Sequence, residues 1–344
     1  MSQSATNNQT QRPLATVIGG SGFLGRYIVK HLADAGWTVR AGVRDVEAAL
    51  FLKPLGDVGQ VVPYPASLTR PETLAAAVEG ADLVINLVGL LYESGSQTFQ
   101  AVHVDGARAL AEAAKAAGAS RFIQMSAIGA DLNSESEYGR TKAEGEKAVL
   151  EAFPEATILR PSVVFGPEDG FFNLFANLSR IAPVLPVFGC PVLPSLGGGE
   201  GKPVVDLYGD GGTKMQPVYV GDVADAVMAC IADDSTTGKT YELGGPSVYS
   251  YVELMQLMLK IIERKRLLVP VPFALASIKA FFLELMPKPL LTRDQVTLLM
   301  KDNVVSGGAL GFKDLGLEPR AAEVMLPTYL ARYKAVRGEK FRNA

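Results

Sequence analysis

Two rhythms of apolar and polar positions alternate along the first half of the chain. The run ATVIGG (15–20) is short and continuously apolar and ends in glycine, whereas FLGRYIVKHLADAG (23–36) sets Leu24, Ile28 and Leu32 four apart and stops at Gly36. The first pattern predicts a buried strand, the second a helix with one apolar stripe. The beat repeats through TVRAGVR (38–44), a helix from about Val46, VVPYP, ADLVINLVG, an alanine-rich helix over about 99–117, SRFIQMSAIG and ATILRPSVVFG. Strands that read as unbroken apolar runs, with helices between them, belong to a parallel sheet covered on both faces. The expected fold class is therefore α/β, a doubly wound parallel sheet followed by a smaller C-terminal α/β domain.

The pattern loosens after Gly166. The stretch VLPVFGCPVLPSLGGGEGKPVVDLYGDGG (184–212) is so rich in proline and glycine that it reads as an exposed loop and not a folded unit. QPVYVGDVADAVMACI (216–231) and YELGG (241–245) then supply another strand, helix and strand. These features divide the chain into a polar tail (1–13), a nucleotide-binding domain (14–170) and a C-terminal domain (171–344), with 216–245 returning to the first sheet. The last residues, YKAVRGEKFRNA, read as a fraying basic end.

Composition narrows the partners. The 344 residues carry a net charge of −3 with 48% hydrophobic content, so a large core is possible and no basic excess exists to meet nucleic-acid phosphates. Cys190 and Cys230 lie far apart and suit a buried, reduced state, and two histidines, His31 and His103, make a histidine metal site unexpected. The opening MSQSATNNQTQR lacks the apolar core of a secretory signal and the arginines of a mitochondrial presequence. No apolar run reaches the ~18–20 residues that span a bilayer. The nearest, LLVPVPFALAS (267–277), follows KIIERKR and leads into SIKAFFLELM. A basic cluster beside an apolar helix is one way to sit on a membrane surface; the favoured expectation here is a helix packed into the C-terminal core.

Candidate chemistry begins at GGSGFLG (19–25), between a strand and a helix. Gly19 permits the tight turn, Gly22 a close approach to a pyrophosphate, and Gly25 close packing of the helix, whose free N–H groups face the phosphates. This is the dinucleotide turn of a Rossmann domain. The end of the second strand reads Val43-Arg44, where an acidic residue would favour NAD. Arg44 instead suits a 2′-phosphate, with Arg26 as a helper, so NADPH (NADP) is the expected cofactor. Asp45 either neutralises Arg44 or serves the ribose itself.

Ser126, Tyr138 and Lys142 form the second constellation. Lys142 follows Tyr138 by four residues and shares its helical face. A nearby ammonium stabilises a phenolate, making a tyrosine a usable acid, and Ser126 at a strand end can hold a carbonyl.

Together, the glycine turn and Tyr-x-x-x-Lys resemble the extended or atypical short-chain dehydrogenase/reductases, with RPSVVFGP (160–167) and PVYVGDVADAV (217–227) similar to that group's later strands. Five stretches, LGDVGQVV, VINLVGLLYE, EAFPEATILRPSVVFGPEDGFFNLFA, QPVYVGDVADAV and LTRDQVTLL, resemble more narrowly the nucleotide-binding accessory subunits of respiratory complex I, the proton-pumping NADH:ubiquinone oxidoreductase. The resemblance implies that Gly19, Gly22, Phe23 and Leu24 contact the pyrophosphate, with Ser21 and Gly25 in the same turn, and that Arg44 meets the 2′-phosphate. It places Leu68, Leu87, Val88 and Gly89 along adenine and ribose, Tyr138 and Lys142 at the nicotinamide ribose, and Pro161 and Val163 beside the nicotinamide. Two positions depart from the pattern: Ser67 stands where an adenine-binding Asp is frequent, and His103 where an Asn is common.

Two functions follow from these readings. One is a peripheral NADPH-binding subunit of complex I near its quinone-binding region, on the cytoplasmic face of a bacterial inner membrane or the matrix side of a mitochondrial one, partnered by other subunits and the membrane surface and without turnover of its nucleotide. The other is a free NADP-dependent reductase or epimerase acting on a small carbonyl or sugar-like substrate through Ser126, Tyr138 and Lys142.

Overall fold

In a computed structural model, residues 12–190, 195–199 and 202–334 of the protein are described. The first six strands are β1 (Leu14–Ile18), β2 (Thr38–Val43), β3 (Val61–Pro65), β4 (Leu83–Asn86), β5 (Arg121–Met125) and β6 (Thr157–Pro161). With Thr240–Leu243 they make one seven-stranded sheet, ordered Thr240–Leu243, β6, β5, β4, β1, β2, β3, in which every pairing is parallel. The order reverses between β1 and β4, and it is at such a switch point that a crevice opens beyond the carboxyl ends of the strands.

The helices are α1 (Phe23–Asp34), α2 (Leu74–Val78), α3 (Gly106–Ala116), α4 (Glu137–Ala152), α5 (Phe172–Ile181), α6 (Val220–Ala232), α7 (Tyr251–Ile261), α8 (Phe273–Leu283), α9 (Arg293–Leu298) and α10 (Ala322–Leu330). The side-chain period of two splits β1 between the faces of the sheet: Ala15 and Val17 pack with α1 and α6, and Ile18 packs with α2 and α3. Both faces are thus buried, which is why the strands are apolar throughout. The second half of the chain closes this sheet, since it contributes both α6 and the strand Thr240–Leu243. A separate core of α5, α7, α10 and two further strands is rich in aromatic side chains, among them Phe172, Phe175 and Tyr251.

Three expectations change. Within 184–212, Val184–Phe188 is a strand paired in parallel with Leu267–Val271, its Leu185 and Val187 fully buried, and Ser195–Gly199 pairs antiparallel with Lys202–Asp206. The described parts of the stretch are therefore strands and not an exposed loop; in two-stranded sheets every strand is an edge, so Pro186 leaves no ladder bond unmade in the middle of a sheet. The run from 267 is a strand followed by α8, and α8 joins the C-terminal core along only a narrow stripe. It buries only Ala276 and Ala280, while Leu275, Ile278, Phe281 and Phe282 face outward. A helix apolar all round gives no sign of which face turns inward; here the small residues do. Finally, the 99–117 helix opens with a turn of π-helix, Gln100–Asp105, before α3. The polar opening residues up to 11 and the basic end from 335 lie outside the described residues.

Candidate functional site

The glycine turn closes on itself and on the sheet. Gly22 N donates to Gly19 O at 3.0 Å, and Gly19 N to Gly42 O at 2.9 Å. Gly19 adopts φ +86°, a conformation open to glycine and strained for other residues. A Cβ on Gly25 would lie 2.3 Å from the carbonyl oxygen of Gly19, so any side chain there pushes α1 off the turn. No side chain caps α1, and its first turn holds no acidic residue. The orphan N–H groups at this helix start remain available to an anion.

One cleft gathers Gly19, Ser21, Gly22, Arg44, Leu68, Leu87, Val88 and Gly89, with Ser67, Thr69 and Gln97 also on its wall. Phe23 stacks edge-on with Tyr27, and Leu24 packs against the sheet core, so both offer the cleft backbone rather than side chain. Arg44 is exposed and makes no hydrogen bond or ion pair among the described residues. The Asp45 carboxylate does not neutralise it, since it accepts a hydrogen bond from Ala48 N. The Arg26 guanidinium is engaged by other groups, pairing with Glu168 at 3.3 Å and lying over the Phe51 ring. At the position where an adenine-binding carboxylate was in question, Ser67 bonds Thr69 through its hydroxyl.

Ser126, Tyr138, Lys142, Pro161 and Val163 do not line that cleft; they lie in a crowded region that meets it at Gly89. Lys142 is buried and donates to Met125 O at 3.2 Å, and a Cβ on Gly89 would lie 3.2 Å from its Nζ, which sets the lysine against the cleft floor. Burial lowers its pKa to about 8, with the Glu146 carboxylate acting the other way. The Tyr138 ring packs edge-on against Phe99 and His103. Its hydroxyl is pushed up to about 12, first by desolvation and then by the negative charge of Asp294. Ser126 Oγ, buried at the end of β5, has no hydrogen-bond partner. Pro161 O accepts from Ile128 N, and Val163 leans on the C-terminal core.

His103 is fixed in one tautomer by its neighbours. Leu90 N donates to Nε2 at 3.0 Å, so the ring proton sits on Nδ1, 3.0 Å from the Thr141 hydroxyl, which itself donates to Glu137 O. Desolvation, then the Lys142 charge, lowers its pKa to about 3, and it remains neutral at physiological pH. The π-turn delivers this ring inward, as such turns do at functional sites. Gly145 matches it, because a Cβ there would lie 2.0 Å from His103 O. Thr141, Gln97, Asp294 and Gln295 carry no role that the sequence alone predicts. TRDQV is a visible block, but nothing in it says that its carboxylate reaches α4.

A dinucleotide fits the residues present: an open glycine turn, an unpaired cation beyond β2, and an orphaned buried hydroxyl beyond β5. Among the described residues no group of histidine, cysteine and carboxylate side chains is placed to hold a metal.

Comparison with known proteins agrees with this architecture. Residues 15–244 match the NAD dependent epimerase/dehydratase family. The subunit named NADH dehydrogenase [ubiquinone] 1 alpha subcomplex subunit 9, mitochondrial, from Arabidopsis thaliana is 38% identical over 333 residues, covering 93% of this chain and 78% of that one. A ceramide reductase from Caulobacter vibrioides is 40% identical over 180 residues, but only 51% of this chain and 54% of that one are covered. Among solved structures, the UDP-glucose 4-epimerase of Thermotoga maritima superimposes with a TM-score of 0.67 at 18% identity, over 96% of this chain and all of that one. The chain belongs to the NAD dependent epimerase/dehydratase family and is a homologue of the mitochondrial complex I subunit.

Proposed function

We propose that this protein is an accessory subunit of NADH:ubiquinone oxidoreductase that holds NADPH permanently and does not turn it over. The observation that carries the proposal is the contrast between the unpaired Arg44 and the saturated groups at the nicotinamide end. The pyrophosphate is met by Gly19, Ser21 and Gly22 and by the backbone N–H groups of Phe23, Leu24 and Gly25, and the 2′-phosphate by Arg44. Adenine and ribose lie along Leu68, Leu87, Val88 and Gly89. Lys142 and Tyr138 hold the nicotinamide ribose, with Pro161 and Val163 beside the ring.

Bound NADPH supplies a hydride donor, but the residues around it are poorly arranged to complete a reduction. Tyr138 must yield a proton to a substrate oxygen, yet burial and the Asp294 charge both oppose its phenolate. His103 has both nitrogens engaged and carries no proton outward. The nucleotide contributes stability instead: about 4 kcal/mol when present at a thousandfold over Kd. Docking through the apolar face of α8 makes the subunit peripheral to the membrane, near the quinone-binding region of the complex; no helix among the described residues is long and apolar enough to cross a bilayer.

The experiment is native purification from membranes, with mass spectrometry of the companion proteins and of the extracted nucleotide. Complex I subunits and NADP(H) are expected; absence of the chain from the complex, or an empty protein, refutes the proposal. A second reading, an NADP-dependent reductase of a small carbonyl, draws on the orphaned Ser126 hydroxyl and the Caulobacter relative. It requires that NADPH oxidation be seen with a carbonyl or quinone and be abolished by Tyr138→Phe.

A further inference from the structure

Asp294 belongs to α9, far along the chain from α4, yet it sits at the start of α4. Its Oδ1 accepts from Glu137 N at 2.7 Å, and its Oδ2 from the Ser136 hydroxyl at 2.9 Å and from Tyr138 N at 3.2 Å. Ser136 is itself the cap of α4, accepting from Gly139 N. A carboxylate is well placed at the positive end of a helix, and here it satisfies two of the orphan N–H groups of a sixteen-residue one. Its neighbour Gln295 donates through Nε2 to Leu91 O at 3.2 Å.

These bonds close a ring. From Asp294 the path runs to Glu137, whose carbonyl accepts from the Thr141 hydroxyl; Thr141 meets His103 Nδ1; Leu90 N donates to His103 Nε2; and Leu91 O returns to Gln295. The ring passes through the first two turns of the helix that carries Tyr138 and Lys142, and through Leu90 and Leu91 it reaches the loop next to Gly89. Arg293 anchors the α9 side, with its backbone N and Nε on the Glu284 carboxylate and its guanidinium over the Phe281 ring. The ring does not reach the glycine turn or Arg44.

We propose that Asp294 is a positioning residue for the nicotinamide half of the site: by capping α4 from the C-terminal region it fixes Tyr138 and Lys142, and without it the protein grips the adenosine half of NADPH but not the whole molecule. This rests on the NADPH reading above and specifies how one half of that site is held. No contact between Asp294 and nucleotide is involved. A general stabilising role would loosen both halves alike, and that difference makes the inference testable.

The test compares binding of NADPH with binding of adenosine 2′,5′-bisphosphate, which fills only the adenosine half, in the full chain carrying Asp294→Ala or Asp294→Asn. Asp294→Ala is expected to weaken NADPH by about tenfold while changing the bisphosphate less than about twofold. Asp294→Asn keeps an acceptor for one of the two N–H groups and is expected to recover part of the loss, and it serves alone should the alanine variant not fold. Amide hydrogen exchange at Glu137 and Tyr138 is expected to quicken in the same order. Equal losses for both ligands, no loss for either, or unchanged exchange at those two amides overturns the assignment. If the unaltered protein binds neither ligand, the NADPH reading falls first and takes this inference with it; if it binds both and the variants do not split them, only the inference falls.

Discussion

At the adenosine end of the cleft the protein leaves its polar groups waiting: Arg44 is exposed and unpaired among the described residues, and the first turn of α1 has neither cap nor acidic side chain. At the end proposed for the nicotinamide, most polar groups already have a protein partner. His103 uses both ring nitrogens, Lys142 donates to Met125 O, and Asp294 takes up the first amides of α4; among the described residues the hydroxyls of Ser126 and Tyr138 are left over. The first arrangement is preorganised for a ligand. The second is preorganised for itself. A binding site needs the former, whereas catalysis needs groups free to change partner or proton at the other end. On the proposed reading, the difference teaches that the parts of a hydride-transfer site can persist as a framework where proton movement is closed off.

Reversing the charge beyond β2 gives the largest effect expected of any single change. Arg44→Asp removes a charge-assisted contact and sets like charges together at the 2′-phosphate, so calorimetry should show NADPH affinity falling by on the order of a hundredfold, with NADH affected far less. An equal loss for both nucleotides would mean that the adenosine end does not distinguish them and that the contrast between the ends was misdrawn.

The crowded end makes itself felt in acid. His103 has a folded pKa of about 3 against an ordinary 6.5, so below pH 6.5 the unfolded chain takes up a proton that the folded one refuses. The neutral ring's contribution is therefore complete above pH 6.5 and is lost as pH falls from 6.5 toward 3, at up to about 1.4 kcal/mol per pH unit. Denaturant midpoints for the protein and its His103→Gln variant should separate in slope over that window, the variant being flatter. Parallel slopes would mean that the ring is not held neutral.

How much of this was legible in the sequence follows the same division. The glycine turn, Arg44 and the alternating strands announce themselves because each depends on neighbours in the chain: a turn needs its glycines, and a doubly buried strand needs its apolar run. The ring through Asp294 joins residues more than 150 positions apart, and no local pattern encodes that meeting. The partner of Arg26 was hidden for the same reason, since Glu168 arrives from beyond β6. The outward face of α8 was hidden by its uniform hydropathy, where only the small size of Ala276 and Ala280 marks the buried stripe.

Lys142 permits a gentler test. Burial lowers its pKa to about 8, so the ammonium proposed to meet the ribose is present below that pH and is lost above it. NADPH affinity should hold steady up to about pH 8 and then decline severalfold over the next unit, since the protonated lysine, with one N–H on Met125 O, keeps its charge and two N–H groups for the ribose, and the neutral amine keeps neither the charge nor the second. Lys142→Met should bind more weakly throughout and show no such decline. Adenosine 2′,5′-bisphosphate, which never reaches the lysine, should show none in either protein.

The smallest expected effect distinguishes the two ends most sharply. Tyr138→Phe removes one hydroxyl that makes no hydrogen bond among the described residues, and it keeps the ring packed against Phe99 and His103. In a working reductase that hydroxyl is the proton donor, and its loss costs about 10²–10⁴-fold in rate. In a holding site it is one contact to a ribose among many, so NADPH affinity should change by less than about twofold and the protein should assemble as before. Retained affinity and retained assembly in the phenylalanine variant, together with no NADPH oxidation by the unaltered protein on any carbonyl or quinone, would leave the tyrosine as scaffold. If unaltered protein oxidised NADPH and the variant did not, the saturated groups around the nicotinamide must exchange partners during a reaction, and the crowded end would be the closed state of an active one.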